Sequence, residues 1–176
     1  MIRYYVTDRK SADVVAAAER AAADGVDMIQ VREKDLESAA LCDLVRAVLE
    51  SVKGSGAKVL VNDRLDVALA AGAHGAHLPA NGLPVSEVRR FIDLVGISTH
   101  TVEEVRDAEA EGASFALFGP VFSTPGKTPV GLDRLRDATR AAGKMPVLAI
   151  GGITPENTAE VIKAGAAGIA GIRLFQ

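Results

Sequence analysis

The sequence predicts an α/β protein folded as a closed (β/α)8 TIM barrel in a single domain spanning residues 1–176. Three observations carry this. Short β-branched runs alternate with longer Ala-rich amphipathic runs from end to end, which is the pattern of repeated βα units. The strand runs number eight, and closure of eight strands removes both sheet edges. A glycine turn recurs where helices should hand over to strands, as in Ala71-Gly72-Ala73-His74-Gly75 and Ala164-Gly165-Ala166-Ala167-Gly168. An open flavodoxin-like sheet is the alternative, and it usually needs fewer strands.

Strands are expected near 2–7, 27–31, 57–61, 74–78, 95–98, 115–119, 146–150 and 167–172. Helices are expected near 11–24, 37–53, 64–72, 84–93, 102–111, 131–142 and 156–164. Thr101 followed three residues later by Glu104 spells a capping box, and Thr154-Pro155-Glu156 sets a cap residue before a first-turn proline. Gly25, Gly72, Gly112, Gly143 and Gly165 fall where a left-handed residue ends a helix. The text stops soon after strand eight, so the final helix of the fold is expected to be missing and apolar barrel surface to be left open, a face that a homodimer would cover.

Composition suits such a barrel. Apolar residues make up 48% and aromatic residues only 4%, so Ala, Val, Ile and Leu must build the core. A net charge of −3 without a basic run argues against nucleic acid or an anionic membrane as partner. Cys42 is the single cysteine and reads as a helix-packing thiol, so no intramolecular disulfide can form. No signal-peptide pattern and no apolar run of about 18 residues appears, and a cytoplasmic location is expected.

In this fold the chemistry belongs at the C-terminal ends of the strands and in the loops after them. Strand two ends in Gln30, Arg32 and Lys34, spaced by two and so projecting to one side; a solvated strand–helix turn would read the same. Strand three ends in Asn62-Asp63, an amide beside a carboxylate, which suits Mg²⁺ as a hard cation or equally a helix cap. His77 ends strand four and is a candidate pocket residue, whereas His74 reads as a turn residue before that strand.

Strand five ends in Ser98-Thr99-His100, where Ser98 can donate to a phosphate oxygen and His100 is either an acid–base group or a structural histidine at a helix cap. The Pro/Gly-rich loop after strand six carries Thr124, Gly126 and Lys127 and resembles an anion-binding loop, though a flexible Pro/Gly lid would read the same. Gly151-Gly152 after strand seven and Gly171-Ile172-Arg173 after strand eight mark the place where phosphate sites recur in this fold.

Across essentially the whole chain these segments resemble the thiamine phosphate synthase family, including its thiazole tautomerase branch. The resemblance rests on Tyr5-Val6-Thr7-Asp8, Gln30-Val31-Arg32-Glu33-Lys34, Val61-Asn62-Asp63-Arg64, Gly96-Ile97-Ser98-Thr99-His100-Thr101, Phe118-Gly119-Pro120-Val121-Phe122-Ser123-Thr124, Lys127 and Ala149-Ile150-Gly151-Gly152-Ile153. It implies the joining of hydroxymethylpyrimidine diphosphate to a phosphorylated hydroxyethylthiazole with loss of pyrophosphate. Gln30, Arg32 and Lys34 would hold the pyrimidine and its diphosphate, with Asn62, Ser98 and Lys127 adding diphosphate contacts. Asp63 would hold Mg²⁺, and Thr124, Gly126, Gly152 and Gly171–Arg173 would receive the thiazole phosphate. Phosphorylated small molecules would be the partners.

The sequence departs from the family pattern in four places. Gly82 stands where the synthases carry a second metal-binding aspartate, Gly126 where they usually have threonine, and Arg173 where they have a serine; the fourth is the early end. Leu78-Pro79 is similar to the tautomerase branch, but Pro120 occupies the place of its expected histidine. Besides a synthase, the pattern therefore leaves open a thiazole tautomerase and a non-catalytic module that binds thiazole phosphate or thiamine phosphate.

Overall fold

The aliphatic runs form eight parallel strands: β1 (Ile2–Val6), β2 (Met28–Val31), β3 (Lys58–Asn62), β4 (Gly75–Leu78), β5 (Leu94–Thr99), β6 (Phe115–Phe118), β7 (Val147–Ile150) and β8 (Gly168–Gly171). Each pairs with the next, and β8 pairs with β1 through Ile2 opposite Gly168 and Tyr4 opposite Ala170, which closes the barrel. The structure is a computed structural model that describes every residue from Met1 to Gln176.

Strand parity sorts the side chains. Tyr4, Val6, Met28, Leu60, Phe115, Leu117, Leu148 and Ala170 point inward and form one buried cluster that includes no helix residue. Tyr5, Ile29, Val31, Val59 and Val61 point outward and are buried beneath three helices, α1 (Val14–Ala23), α2 (Ser38–Ser51) and α3 (Leu65–Ala71). On the other half Ala116, Phe118, Val147, Ala149 and Ile169 meet α5 (Val102–Ala110), α6 (Gly131–Ala141) and α7 (Thr158–Lys163). Small residues such as Ala17, Ala18 and Ala21 let α1 lie close against the sheet.

The five glycines expected at helix ends all have positive φ, from +56° at Gly143 to +103° at Gly165. The capping box is present: Thr101 accepts from the Glu104 N–H, and the Glu104 side chain accepts from the Thr101 N–H. Two expected helices are shorter than their sequence patterns. Only Val85–Val88 is α-helical (α4), because Val85 and Val88 are the residues it buries and the chain must turn back for β5, leaving Phe91 61% exposed. Helix α7 starts at Thr158, since Thr154–Asn157 form a turn in which Asn157 Oδ1 accepts from the Thr154 N–H at 2.9 Å.

The expected open face is corrected. After β8 the chain makes a 3₁₀ turn over Arg173–Phe175 that folds back on the outside of the β1–β8 seam. Leu174 and Phe175 pack on the outer clusters, and Arg3 lies over the Phe175 ring at 5.3 Å. The outward Tyr5 and Ile169 are consequently 0% and 4% exposed, so the seam offers a partner no bare apolar face. No helix is long and apolar enough to cross a membrane.

The seam is also tight. A Cβ on Gly168 would overlap the backbone carbonyl of Ile2, which cannot move without breaking the β1–β8 ladder, whereas on Gly171 it would meet only the Leu174 side chain, at 3.1 Å. Gly168→Ala is expected to lower unfolding free energy by about 1–3 kcal/mol, and Gly171→Ala by less than about 1 kcal/mol. Urea titration of the two variants checks this; equal losses would mean that the seam has slack.

Candidate functional site

The inward parity that fills the lower barrel with apolar side chains places polar ones at its C-terminal rim. There a cavity of about 340 Å³ opens, within the size range of small-molecule sites. Its floor is Val6, Leu117, Ile150 and Ile172, and its walls bring Gln30 from β2 and Arg32 from just after it, Asn62 from β3, and Ser98, Thr99 and His100 from the end of β5. Thr124, Pro125 and Lys127 form one side and Gly151 another. No aspartate or glutamate lines it. Two cations with no facing carboxylate make an anion-seeking cavity. A wider groove of about 790 Å³ between α2, α3 and the N-terminal ends of β3 and β4 holds none of the predicted residues.

Beneath this cavity runs a buried polar chain. Gln30 Nε2 donates to the Tyr4 hydroxyl at 3.0 Å, the Tyr4 hydroxyl lies 3.0 Å from His77 Nδ1, and His77 Nε2 lies 3.0 Å from Ser98 Oγ. Tyr4, His77 and Gln30 are 0%, 1% and 2% exposed, so each hydrogen bond offsets a desolvated group. Tyr4, His77 and Phe115 also pack as tilted rings with centroids 5.3 to 5.9 Å apart. Burial, with the nearby Arg32 charge adding to it, pushes the His77 imidazole down to about 3, so it is neutral at physiological pH. Burial likewise raises the Tyr4 hydroxyl far above its ordinary value.

Arg32 is steadied by residues whose role the sequence did not reveal. Its N–H donates to Thr7 Oγ1 at 3.0 Å, and the Thr7 hydroxyl donates to Glu33 at 2.5 Å. The Glu33 carboxylate also takes the Arg9 N–H, and the Arg9 guanidinium grips Asp35 at 2.6 Å. This clasp ties the β1–α1 loop to the β2–α2 loop. Arg9 holds the Asp35 carboxyl below its ordinary value. Strand parity explains the pairing, since Thr7 and Glu33 follow adjacent parallel strands on the side opposite Val6 and Gln30.

The strand-six loop leans on strand seven. Thr124-Pro125-Gly126-Lys127 closes a turn through the Lys127 N–H to the Thr124 carbonyl at 3.2 Å, with φ +74° at Gly126, the position where a type II turn needs glycine. Thr124 lines the cavity, and its Oγ1 is buried with no hydrogen-bond partner in the chain. Gly151 and Gly152 have φ of +94° and +65°, and a Cβ on Gly152 would come within 2.7 Å of Phe122. The N–H groups of Gly151, Gly152, Ile153 and Ile172 make no hydrogen bond within the chain. Such unpaired amides are donors for an anion.

Other predicted residues stand apart. Lys34 is exposed in the β2–α2 turn, Arg173 is exposed beyond β8, and neither lines the cavity. Gly126 occupies the tip of its turn, Gly152 backs the strand-six loop, and Gly171 lies below Ile172. His77 lies under the cavity and reaches it through Ser98 directly and through Tyr4 to Gln30. Asp63 is exposed at the mouth with φ +61°, caps no helix, and its carboxylate has no hydrogen-bond partner. No three His, Cys, Asp or Glu side chains converge as a metal-ligand group. His100 lines the cavity while its Nδ1–H donates to the Gly119 carbonyl at 2.7 Å, which fixes its tautomer. His74 precedes β4 as expected and accepts the Val59 N–H.

A neutral buried His77 has a consequence for stability. The unfolded chain takes up this proton near its ordinary value of 6.5, and the folded chain only near 3. The contribution is complete above pH 6.5 and is lost as pH falls toward 3, at up to about 1.4 kcal/mol per pH unit. His77→Gln should therefore lose about 1–2 kcal/mol less than the parent between pH 7 and pH 5. Urea titrations at the two pH values measure this, and parallel losses would refute a buried neutral imidazole.

Comparison with known proteins gives the chain a family and agrees with its fold. Residues 3–175 match a family described as thiamine monophosphate synthase. A thiamine-phosphate synthase of Methanoculleus marisnigri is 46% identical over 160 residues, covering 87% of this chain and 75% of that protein. One from Roseiflexus castenholzii is 41% identical over 182 residues, covering 96% of this chain and 78% of its own length. Among solved structures, the thiamine phosphate pyrophosphorylase of Pyrococcus furiosus superposes with a TM-score of 0.90 at 33% identity, covering 97% of this chain and 85% of that one.

Proposed function

The chain belongs to the thiamine monophosphate synthase family, and on that premise we propose that it is a thiamine phosphate synthase. It joins hydroxymethylpyrimidine diphosphate to hydroxyethylthiazole phosphate and releases pyrophosphate. The observation that carries this reading is the rim cavity with Arg32 and Lys127 on its walls and no carboxylate among its lining residues. A dissociative substitution, in which the bond to the departing diphosphate breaks before the thiazole nitrogen attacks, needs that charge neutralised more than it needs a strong base.

Arg32 and Lys127 neutralise the leaving diphosphate, and Ser98, Asn62 and Gln30 orient it and the attached ring. Lys34, on the turn beyond Arg32, adds positive field from outside the wall. The thiazole phosphate occupies the amides of Gly151, Gly152, Ile153 and Ile172 beside the orphan Thr124 hydroxyl, a reading supported by donors that have no partner within the chain. Gly126 shapes the turn that carries Lys127, and Gly171 and Arg173 frame this subsite without lining it.

Mg²⁺ belongs to the same proposal. This cation is held elsewhere by one or two carboxylates together with waters and substrate phosphates, so the lone Asp63 carboxylate beside the Asn62 amide is a donor set that fits. Bound there, Mg²⁺ would supply further neutralisation of the diphosphate. A carboxylate at position 82 would need the loop to give way, because a Cβ on Gly82 meets Pro79 Cδ at 2.9 Å. The partners in this reading are phosphorylated small molecules in the cytoplasm, without nucleic acid or membrane.

Pure protein incubated with both substrates and Mg²⁺ should form thiamine phosphate and pyrophosphate in equal amounts. No product at high enzyme concentration would overturn the proposal; turnover of the thiazole precursor alone without Mg²⁺ would make it a tautomerase, and tight product binding without turnover a binding module. Lys127→Ala should lower kcat on the order of 10²-fold while thiazole phosphate affinity stays within about twofold. Equal loss of both would contradict a role on the diphosphate.

A further inference from the structure

We propose that Tyr4 and His77 are positioning residues that make Ser98 a fixed hydrogen-bond donor to the bound substrate. The proposal rests on the synthase reading for its kinetics and on the buried chain for its geometry. Tyr4 lies wholly inside the barrel, and its hydroxyl oxygen has two polar neighbours, Gln30 Nε2 and His77 Nδ1. The Gln30 amide is a donor, so the Tyr4 proton has one acceptor left, the His77 Nδ1 lone pair. A neutral imidazole with an accepting Nδ1 carries its proton on Nε2, and that proton goes to Ser98 Oγ at 3.0 Å.

Ser98 lines the cavity, and His77 is its side chain's protein partner. With His77 donating to it, the Ser98 hydroxyl keeps its own proton for the cavity, where it meets an acceptor such as a diphosphate oxygen. The same polarity leaves Gln30 Oε1, the other polar atom of a cavity-lining residue, without a protein donor and so free to accept from the ligand. Were the chain reversed, with Nδ1 protonated, Ser98 would spend its proton on His77 and face an anionic oxygen with lone pairs alone. One imidazole tautomer thus sets whether Ser98 attracts or repels the leaving group.

The tautomer can be read without any assay of turnover. In ¹⁵N-labelled protein, long-range ¹H–¹⁵N correlation of the His77 ring, assigned by its loss in His77→Gln, should show the proton on Nε2. His100 provides the opposite reference, since its Nδ1–H is bound to the Gly119 carbonyl. Protonation of His77 on Nδ1 would overturn the proposal whether or not the protein is a synthase. In kinetics Tyr4→Phe should lower kcat about tenfold with Ser98 present and by less than about twofold in the Ser98→Ala background. An equal drop in both backgrounds would show that Tyr4 acts on folding or packing instead, and would overturn the relay through His77.

Discussion

Pairing of β8 with β1 leaves no free edge in the sheet, and from that closure the organisation of the molecule follows. Eight short parallel strands enclose so little space that one alternate set of side chains fills the interior and the other must be covered by helices. The fit leaves no room at the seam, where Gly168 meets the Ile2 carbonyl, nor at Gly96, where a Cβ would reach His77 Nδ1 at 2.7 Å. With aliphatic layers filling the lower interior, polar inward residues are tolerated only where they reach the rim or satisfy one another below it.

The buried chain from Gln30 to Ser98 is the one polar exception inside the barrel, and it is a costly one unless every member is paired. Each of its links is 3.0 Å long and its ends are the two residues that line the cavity. The rings of Tyr4 and His77 add packing against Phe115, so the chain is held by shape as well as by hydrogen bonds. Cavity-lining groups anchored in a filled core are more rigid than groups carried on loops. Arg32 is secured differently, through Thr7 and Glu33 on the outward side of the same two strands.

Strand runs and helix-ending glycines were legible because both are local: parity and positive φ need no knowledge of the partner. Gln30, Arg32, Asn62, Ser98, Thr124, Lys127, Gly151 and Ile172, read from strand ends and the loops after them, line one cavity. Lys34 lies off the cavity lining because the alternation that still holds at Arg32 and Glu33 ends in a turn that begins at Lys34. Gly126, Gly171 and Arg173 lie off the cavity lining, a placement set by loop geometry that is not written in single residues. Tyr4, Thr7 and Glu33 acquire meaning only from neighbours 25 to 73 residues away in sequence, a relation that no local pattern carries. The expectation of an open seam failed because Leu174 and Phe175 were counted as an ending and not as a cover.

The vertical order of the site has an electrostatic logic. Arg32 and Lys127 stand on the cavity walls with solvent within reach, where a charge costs little, while the groups below them are neutral. A protonated His77 under Arg32 would place like charges together in a dry interior, and burial together with Arg32 drives the imidazole the other way. The floor is therefore suited to an uncharged ring and the walls to its charged phosphates. In the proposed function this separation puts the attraction for phosphate at the outer end of the substrate and leaves the ring against apolar and neutral polar surface, the arrangement a reaction needs when its bond breaks between the two.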